Sequence, residues 1–181
     1  MRTKYFKTIL LAIIFITKLS AQSAQDHYIK AKEIYYDVKY DNSFNYKVTT
    51  AIEQLTYAIK KDKKFVEAYR FRGQLKNILL DHKGAIKDYS KALELVPNNL
   101  EDISARAFAY NFDRQYSKAL KDYNKAIELA GENNFALSNL YYSRSLVKFN
   151  LKLKSEACED LSKAGELGNS AAYEMIKKYC H

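Results

Sequence analysis

Asp88–Pro97 reads DYSKALELVP, Asp122–Gly131 reads DYNKAIELAG, and Asp160–Asn169 reads DLSKAGELGN. The second begins 34 residues after the first and the third 38 after the second. In each, the apolar and small residues recur at helical spacing: Ala85, Tyr89, Ala92 and Leu93, then Ala119, Tyr123, Ala126 and Ile127. Pro97 and Gly131 stand at equivalent places where such helices stop. One helix written three times predicts a structure built by repetition.

Working outward, a 34-residue grid places repeats at about 32–65, 66–99, 100–133 and, four residues late, 138–168. Position 20 is then Ala51, Ala85, Ala119 and Ala157, and position 27 is Ala58, Ala92, Ala126 and Ala164. Position 24 carries Leu55, Tyr89, Tyr123 and Leu161. Small residues recur where two helices approach closely, and a large one fills the space between them. Position 8 is Gly73, Ala107 and Ser145, but Lys39 in the first repeat. The four extra residues near Gly131–Asn134 lengthen the turn or first helix of the fourth repeat. In residues 169–180 Ala172, Met175, Ile176 and Tyr179 form an apolar stripe, read as a capping helix with Lys177 and Lys178 in its last turn.

The period and these residues resemble the tetratricopeptide repeat (TPR) family, most clearly in 66–97 with Tyr69, Gly73, Ala85, Tyr89, Ala92 and Pro97. The chain departs from the pattern in having no Trp, in placing Arg where Leu is usual at position 7, and in a first-repeat connector, FNYKVTT, without glycine. The resemblance implies an all-α, right-handed α-solenoid of four helix–turn–helix repeats plus the capping helix. Each hairpin exposes an apolar face that its neighbour buries.

Composition agrees. The chain has 181 residues, one Pro and five Gly, and is 48% hydrophobic, which excludes a disordered chain and disfavours a many-stranded β architecture. Residues 1–21 order a basic stretch, the apolar run TILLAIIFIT and small residues, as a secretory signal peptide does. Cleavage is expected after Ala21, with Ala24 as the second choice and an uncleaved anchor as the alternative. The mature domain is then 22–181, periplasmic or extracellular. Losing Arg2, Lys4, Lys7 and Lys18 lowers the net charge from +9 to +5, with bases scattered among acids rather than clustered for nucleic acid.

Two pairings are expected inside the repeats. Arg72, Arg106 and Arg144 share position 7, and Asp88, Asp122 and Asp160 share position 23, while the first repeat has Val38 and Gln54 there. Their joint presence predicts structural ion pairs between first and second helices; a row of anion-binding arginines is the alternative. Cys158 and Cys180 lie at similar distances either side of the turn at Gly168, so antiparallel packing predicts a disulfide; two free thiols are the alternative.

No chemistry of catalysis is legible. His27, His82 and His181 lack metal-site spacing, and neither a phosphate loop nor a nucleophile turn is present, so no metal, cofactor or catalytic residue is assigned. The TPR resemblance implies a concave groove lined by first helices. Carried over, that groove comprises Tyr36 and Tyr40; Glu67, Arg70, Gln74 and Asn77; Glu101, Ser104, Phe108 and Asn111; and Asn139, Tyr142, Leu146 and Phe149. Aromatics among amides suit peptide recognition, although several would equally pack between repeats. The family's carboxylate clamp is not evident. The expectation is a non-catalytic scaffold of the bacterial envelope that binds a protein or peptide. The alternatives are a carbohydrate- or envelope-associated accessory protein with weak enzymatic activity and, third, a nucleic-acid binder.

Overall fold

The computed structural model describes residues 2–37 and 43–180, and side chains from Ala12 onward. Val38, Lys39, Tyr40 and His181 therefore lie outside the described residues. Among those described there are nine α-helices and no strand: α1 (Arg2–Tyr36), α2 (Phe44–Lys61), α3 (Val66–Ile78), α4 (His82–Leu95), α5 (Leu100–Phe112), α6 (Tyr116–Ala130), α7 (Asn134–Asn150), α8 (Lys154–Glu166) and α9 (Ser170–Tyr179). They form two compact units, one through Leu79 and one from Leu80.

Sequence sets the helix ends. Asp81, Asn99 and Asn133 each accept a hydrogen bond from the backbone N–H three residues on, at 2.9, 2.8 and 3.0 Å, capping α4, α5 and α7. Gly131 and Gly168 end α6 and α8 with φ of 56° and 95°, a conformation that glycine adopts without cost. Leu80, Arg114 and Lys152, which follow α3, α5 and α7, also turn left-handed at φ of 61°, 59° and 65°. They recur at the repeat spacing, so the same bend is made three times without glycine.

In the first unit α2 packs along α1, and α3 packs on α2. Ala24 and Ala31 from α1, Val48, Ala51, Leu55 and Ala58 from α2, and Ala68 and Leu75 from α3 are buried. Here the 34-residue grid fails. FNYKVTT is not a connector but the opening of α2, and the first helix of this hairpin ends at Tyr36. The small residue facing α2 is Ala31, fully buried, which stands 42 residues before Gly73 rather than 34. The first hairpin thus carries eight extra residues. Relative to α4, four extend the start of α2, and the other four fall in the sequence between α1 and α2.

In the second unit α4 packs on α5, α5 pairs with α6, α7 with α8, and α9 closes on α8. The predicted alanines at positions 20 and 27 are all fully buried, in both units. Tyr89, Tyr123 and Leu161 fill the intervening space. A Cβ-free or one-carbon side chain at those positions lets backbones approach, and a large neighbour keeps the interior close-packed. The four extra residues before repeat four go into helix: α7 begins at Asn134 and has 17 residues against 13 in α3 and α5.

Candidate partner-binding surface

The arginines at position 7 are structural rivets. Arg106 donates from Nε and Nη2 to Asp122 at 2.7 and 3.0 Å, and Arg144 to Asp160 at 2.8 and 2.7 Å, both as bidentate pairs within one hairpin. The third guanidinium nitrogen reaches back to the preceding second helix: Arg72 to Thr56 at 3.0 Å, Arg106 to Ser90 at 3.3 Å, Arg144 to Asn124 at 2.8 Å. Thr56, Ser90 and Asn124 are themselves 34 residues apart, a repeated feature hidden by its three different residue types. Burial works against the charge of Arg106 and Arg144. The hydrogen bonds and negative charges of their aspartates outweigh it and hold both guanidinium pKa values above the ordinary arginine value. Asp88 is buried on α4.

Asp160 also takes Lys148 Nζ at 3.0 Å, so one carboxylate that is 2% exposed serves two cations. In the first hairpin Gln54 stands where the aspartates do, and its Oε1 meets His27 Nδ1 at 2.9 Å. Cys158 and Cys180 form a disulfide.

In the first unit α1 and α3 form a hollow of about 240 Å³. Tyr36, Glu67, Arg70 and Gln74 line it, as do Tyr28 and Lys32, which the 34-residue grid missed. Lys32 Nζ sits 5.7 Å above the Tyr28 ring and 5.9 Å above that of Tyr36. Burial, with the charge of Glu67 second, raises the Tyr28 phenol above its ordinary value. Asn77 is half-buried at the end of α3, and Tyr40 is outside the described residues. The shifted register explains the omission: subtracting 42 from Arg70 and Gln74 gives Tyr28 and Lys32.

In the second unit α5 and α7 share a face. Phe108 is exposed and its ring lies 4.5 Å from that of Phe112, which stacks on His82 at 5.1 Å. Asn150 Nδ2 donates to Asn111 Oδ1 at 3.2 Å, joining the two helices across that face. Glu101 is exposed, and Ser104 turns inward to its own helix, donating to Glu101 O at 3.0 Å. Asn139 accepts a longer contact of 3.4 Å from Asn169, and Tyr142 and Leu146 are half-buried. Phe149 meets Tyr179 of α9 at 5.7 Å between ring centres. Phe112, Asn150, Met175 and Tyr179 belong to this surface but lie outside the groove that the resemblance implies; the sequence pattern marks Met175 and Tyr179 only as the stripe of the capping helix. The first two fall just off the grid positions, and the others sit on the cap. Among the described residues, no group of three His, Cys, Asp or Glu side chains is placed to hold a metal ion. No helix described is long and apolar enough to cross a membrane.

No family model matches the sequence, and no curated protein matches it. Solved structures do match in shape. MamA from Desulfovibrio magneticus superposes with a TM-score of 0.69 at 16% identity, covering 87% of this chain and 93% of that one. Another MamA crystal structure gives 0.68 at 22% identity, covering 95% and 94%. The second TPR domain of human RPAP3, solved in complex with an HSP70 peptide, gives 0.56 at 24% identity, covering 62% and 92%. Helix pairs recurring along the described residues, alanines buried at all eight positions 20 and 27, and this likeness lead to one conclusion: the chain has the fold of the tetratricopeptide repeat proteins.

Proposed function

We propose that this chain is a non-catalytic interaction module that holds a protein or peptide segment on the faces presented by its first helices. The observation that carries the reading is the surface shared by α5 and α7. Exposed Phe108 and half-buried Phe149 flank the Asn111–Asn150 amide pair. Rigid aromatic rings contribute contact area at low entropic cost, and amides satisfy an extended peptide backbone. The RPAP3 domain of like fold was solved with a peptide bound, which supports the same use here.

The setting we propose is the bacterial envelope. The leader-like residues 1–21 support it, and so does the Cys158–Cys180 disulfide, because such bonds persist in oxidising compartments. The lysines of α4 and α6 support a protein partner over nucleic acid. Lys91 and Lys125 are matched by Glu94 and Glu128 at 2.6 and 3.1 Å, which leaves no continuous basic stripe there.

The test is crosslinking in cells with a tagged full chain, against a variant carrying Phe108→Ala and Asn111→Ala whose helicity is unchanged. A protein captured by the native chain and lost by the variant supports the reading. Equal capture by both refutes use of this face.

A further inference from the structure

We infer that the hollow between α7 and α9 is a pocket for one large apolar side chain of an uncharged partner segment, and that the Cys158–Cys180 disulfide keeps it formed. The inference rests on the interaction reading above and specifies where the partner anchors.

The hollow measures about 290 Å³ and is lined by Leu146, Phe149, Asn150, Met175 and Tyr179. It lies just below the range of sites that enclose a whole small ligand, about 300–1,000 Å³, so it suits a single side chain. No lining residue is charged. A carboxylate or ammonium placed among these five side chains would lose water and find no counter-charge in the lining, Lys178 Nζ standing outside it, 5.0 Å from the Tyr179 ring centre, whereas an apolar group loses nothing. At its rim, Asn150 and Asn111 offer an acceptor and donors to the backbone on either side of the anchor.

Two of the five walls come from α9, whose Met175 and Ile176 pack half-buried against the cluster of Leu161, Ala164 and Ala172. Ala172 is its one buried residue. Tyr173 donates to Gly165 O at 3.0 Å, and Gly165 leaves room for that ring, since a Cβ there would stand 3.2 Å from it. These contacts fix the first half of the helix. The second half carries Met175 and Tyr179, and its end is tied down by Cys180, the residue after Tyr179. A dithiol reductant would deliver two electrons and two protons: the S–S bond breaks, Cys158 and Cys180 become thiols, and the reductant closes its own disulfide. The last turn of α9 then loses its covalent tie and frays as helix ends do, which displaces the walls supplied by Met175 and Tyr179.

Full chain labelled at methyl and aromatic-ring positions is titrated with an acetylated, amidated Gly-Ser-Phe-Ser-Gly peptide and with the same peptide carrying Asp for Phe, observed by NMR. In the oxidised chain the Met175 and Leu146 methyl signals shift with the Phe peptide, and the Asp peptide binds at least tenfold more weakly. After reduction with dithiothreitol, or in Cys180→Ser, the Met175 shift is lost. Reduction of the native chain gives the answer where that variant does not fold. An unmoved Met175 with shifts confined to Phe108 and Tyr142 overturns the pocket but leaves the interaction reading standing. No shift anywhere on α5, α7 or α9 overturns both. An equal Met175 shift in the reduced chain overturns the role of the disulfide.

Discussion

Replacing Asp160 by Ala should be the most damaging single change to a charged residue in the second unit. Its carboxylate is 2% exposed and receives two bonds from Arg144, itself 15% exposed, and one from Lys148, which is 10% exposed. At an effective dielectric of about 20, unit charges about 3 Å apart attract by roughly 5 kcal/mol. Much of that only offsets the cost of taking the ions out of water. The damage comes from what is left behind: Arg144 without its carboxylate and Lys148 with only the exposed Glu156 carboxylate at 3.7 Å, at a cost of about 3 kcal/mol. Asp122 offers the internal control. It is 11% exposed and meets one cation, Arg106, which is 22% exposed, so Asp122→Ala should cost about 2 kcal/mol. Urea unfolding followed by circular dichroism reads both, with the denaturant slope checked for constancy. In the double variant Arg144→Ala/Asp160→Ala the loss should fall well short of the sum of the two single losses. If Asp160→Ala costs under 1 kcal/mol, or if Asp122→Ala costs as much as Asp160→Ala, the reasoning from shared burial is wrong.

Tyr123 is 3% exposed, and burial pushes its phenol pKa up to about 12, against a small opposing effect of its hydrogen bond with Ser143. The folded state therefore holds that proton more tightly than the unfolded chain does. The resulting stability is complete below pH 10 and is lost as pH rises toward 12, by roughly 2 kcal/mol. A Tyr123→Phe variant should show a shallower loss over that window in alkaline unfolding curves, and parallel curves would contradict the assignment. Cys180→Ser opens a loop of 22 residues and should cost about 3 kcal/mol in non-reducing urea titrations, with no difference from native once both are reduced. Phe108→Ala removes an exposed ring and should leave stability within about 0.5 kcal/mol, while weakening an identified partner by about 1–3 kcal/mol in calorimetry.

The repeat was legible because close helix packing leaves little choice of residue. Alanine at positions 20 and 27 is demanded by backbone approach, so those eight positions announce both the period and the core. The first hairpin was not legible. Its opening helix is continuous with the leader-like segment, and the sequence between Tyr36 and Phe44 contains neither Gly nor Pro to mark a boundary. The grid consequently put Lys39 where the structure puts Ala31, and passed over Tyr28 and Lys32. Charge in the interior was half legible. Arg144 and Asp160 recur with the period, but Lys148 has Lys76 and Tyr110 at its equivalent positions, so nothing in the pattern marked it as a second partner of Asp160. The rivets to Thr56, Ser90 and Asn124 kept their spacing while changing residue type, because any short side chain with an acceptor oxygen meets an arginine equally well.

The left-handed bends at Leu80, Arg114 and Lys152 leave this chain with unused thermal headroom. Each is exposed, and each holds an L-residue where its Cβ crowds the following carbonyl, a conformation that costs about 1 kcal/mol or more. Asn98 makes a bend of the same hand at φ 62° with a residue type that visits it readily. One of these four bends thus carries a residue suited to it, and three do not. Leu80→Asn, Arg114→Asn and Lys152→Asn would each release part of that strain, and because they fall in separate hairpins their gains would accumulate. A hardened version of the scaffold is three substitutions away, none of them on the surfaces assigned to a partner.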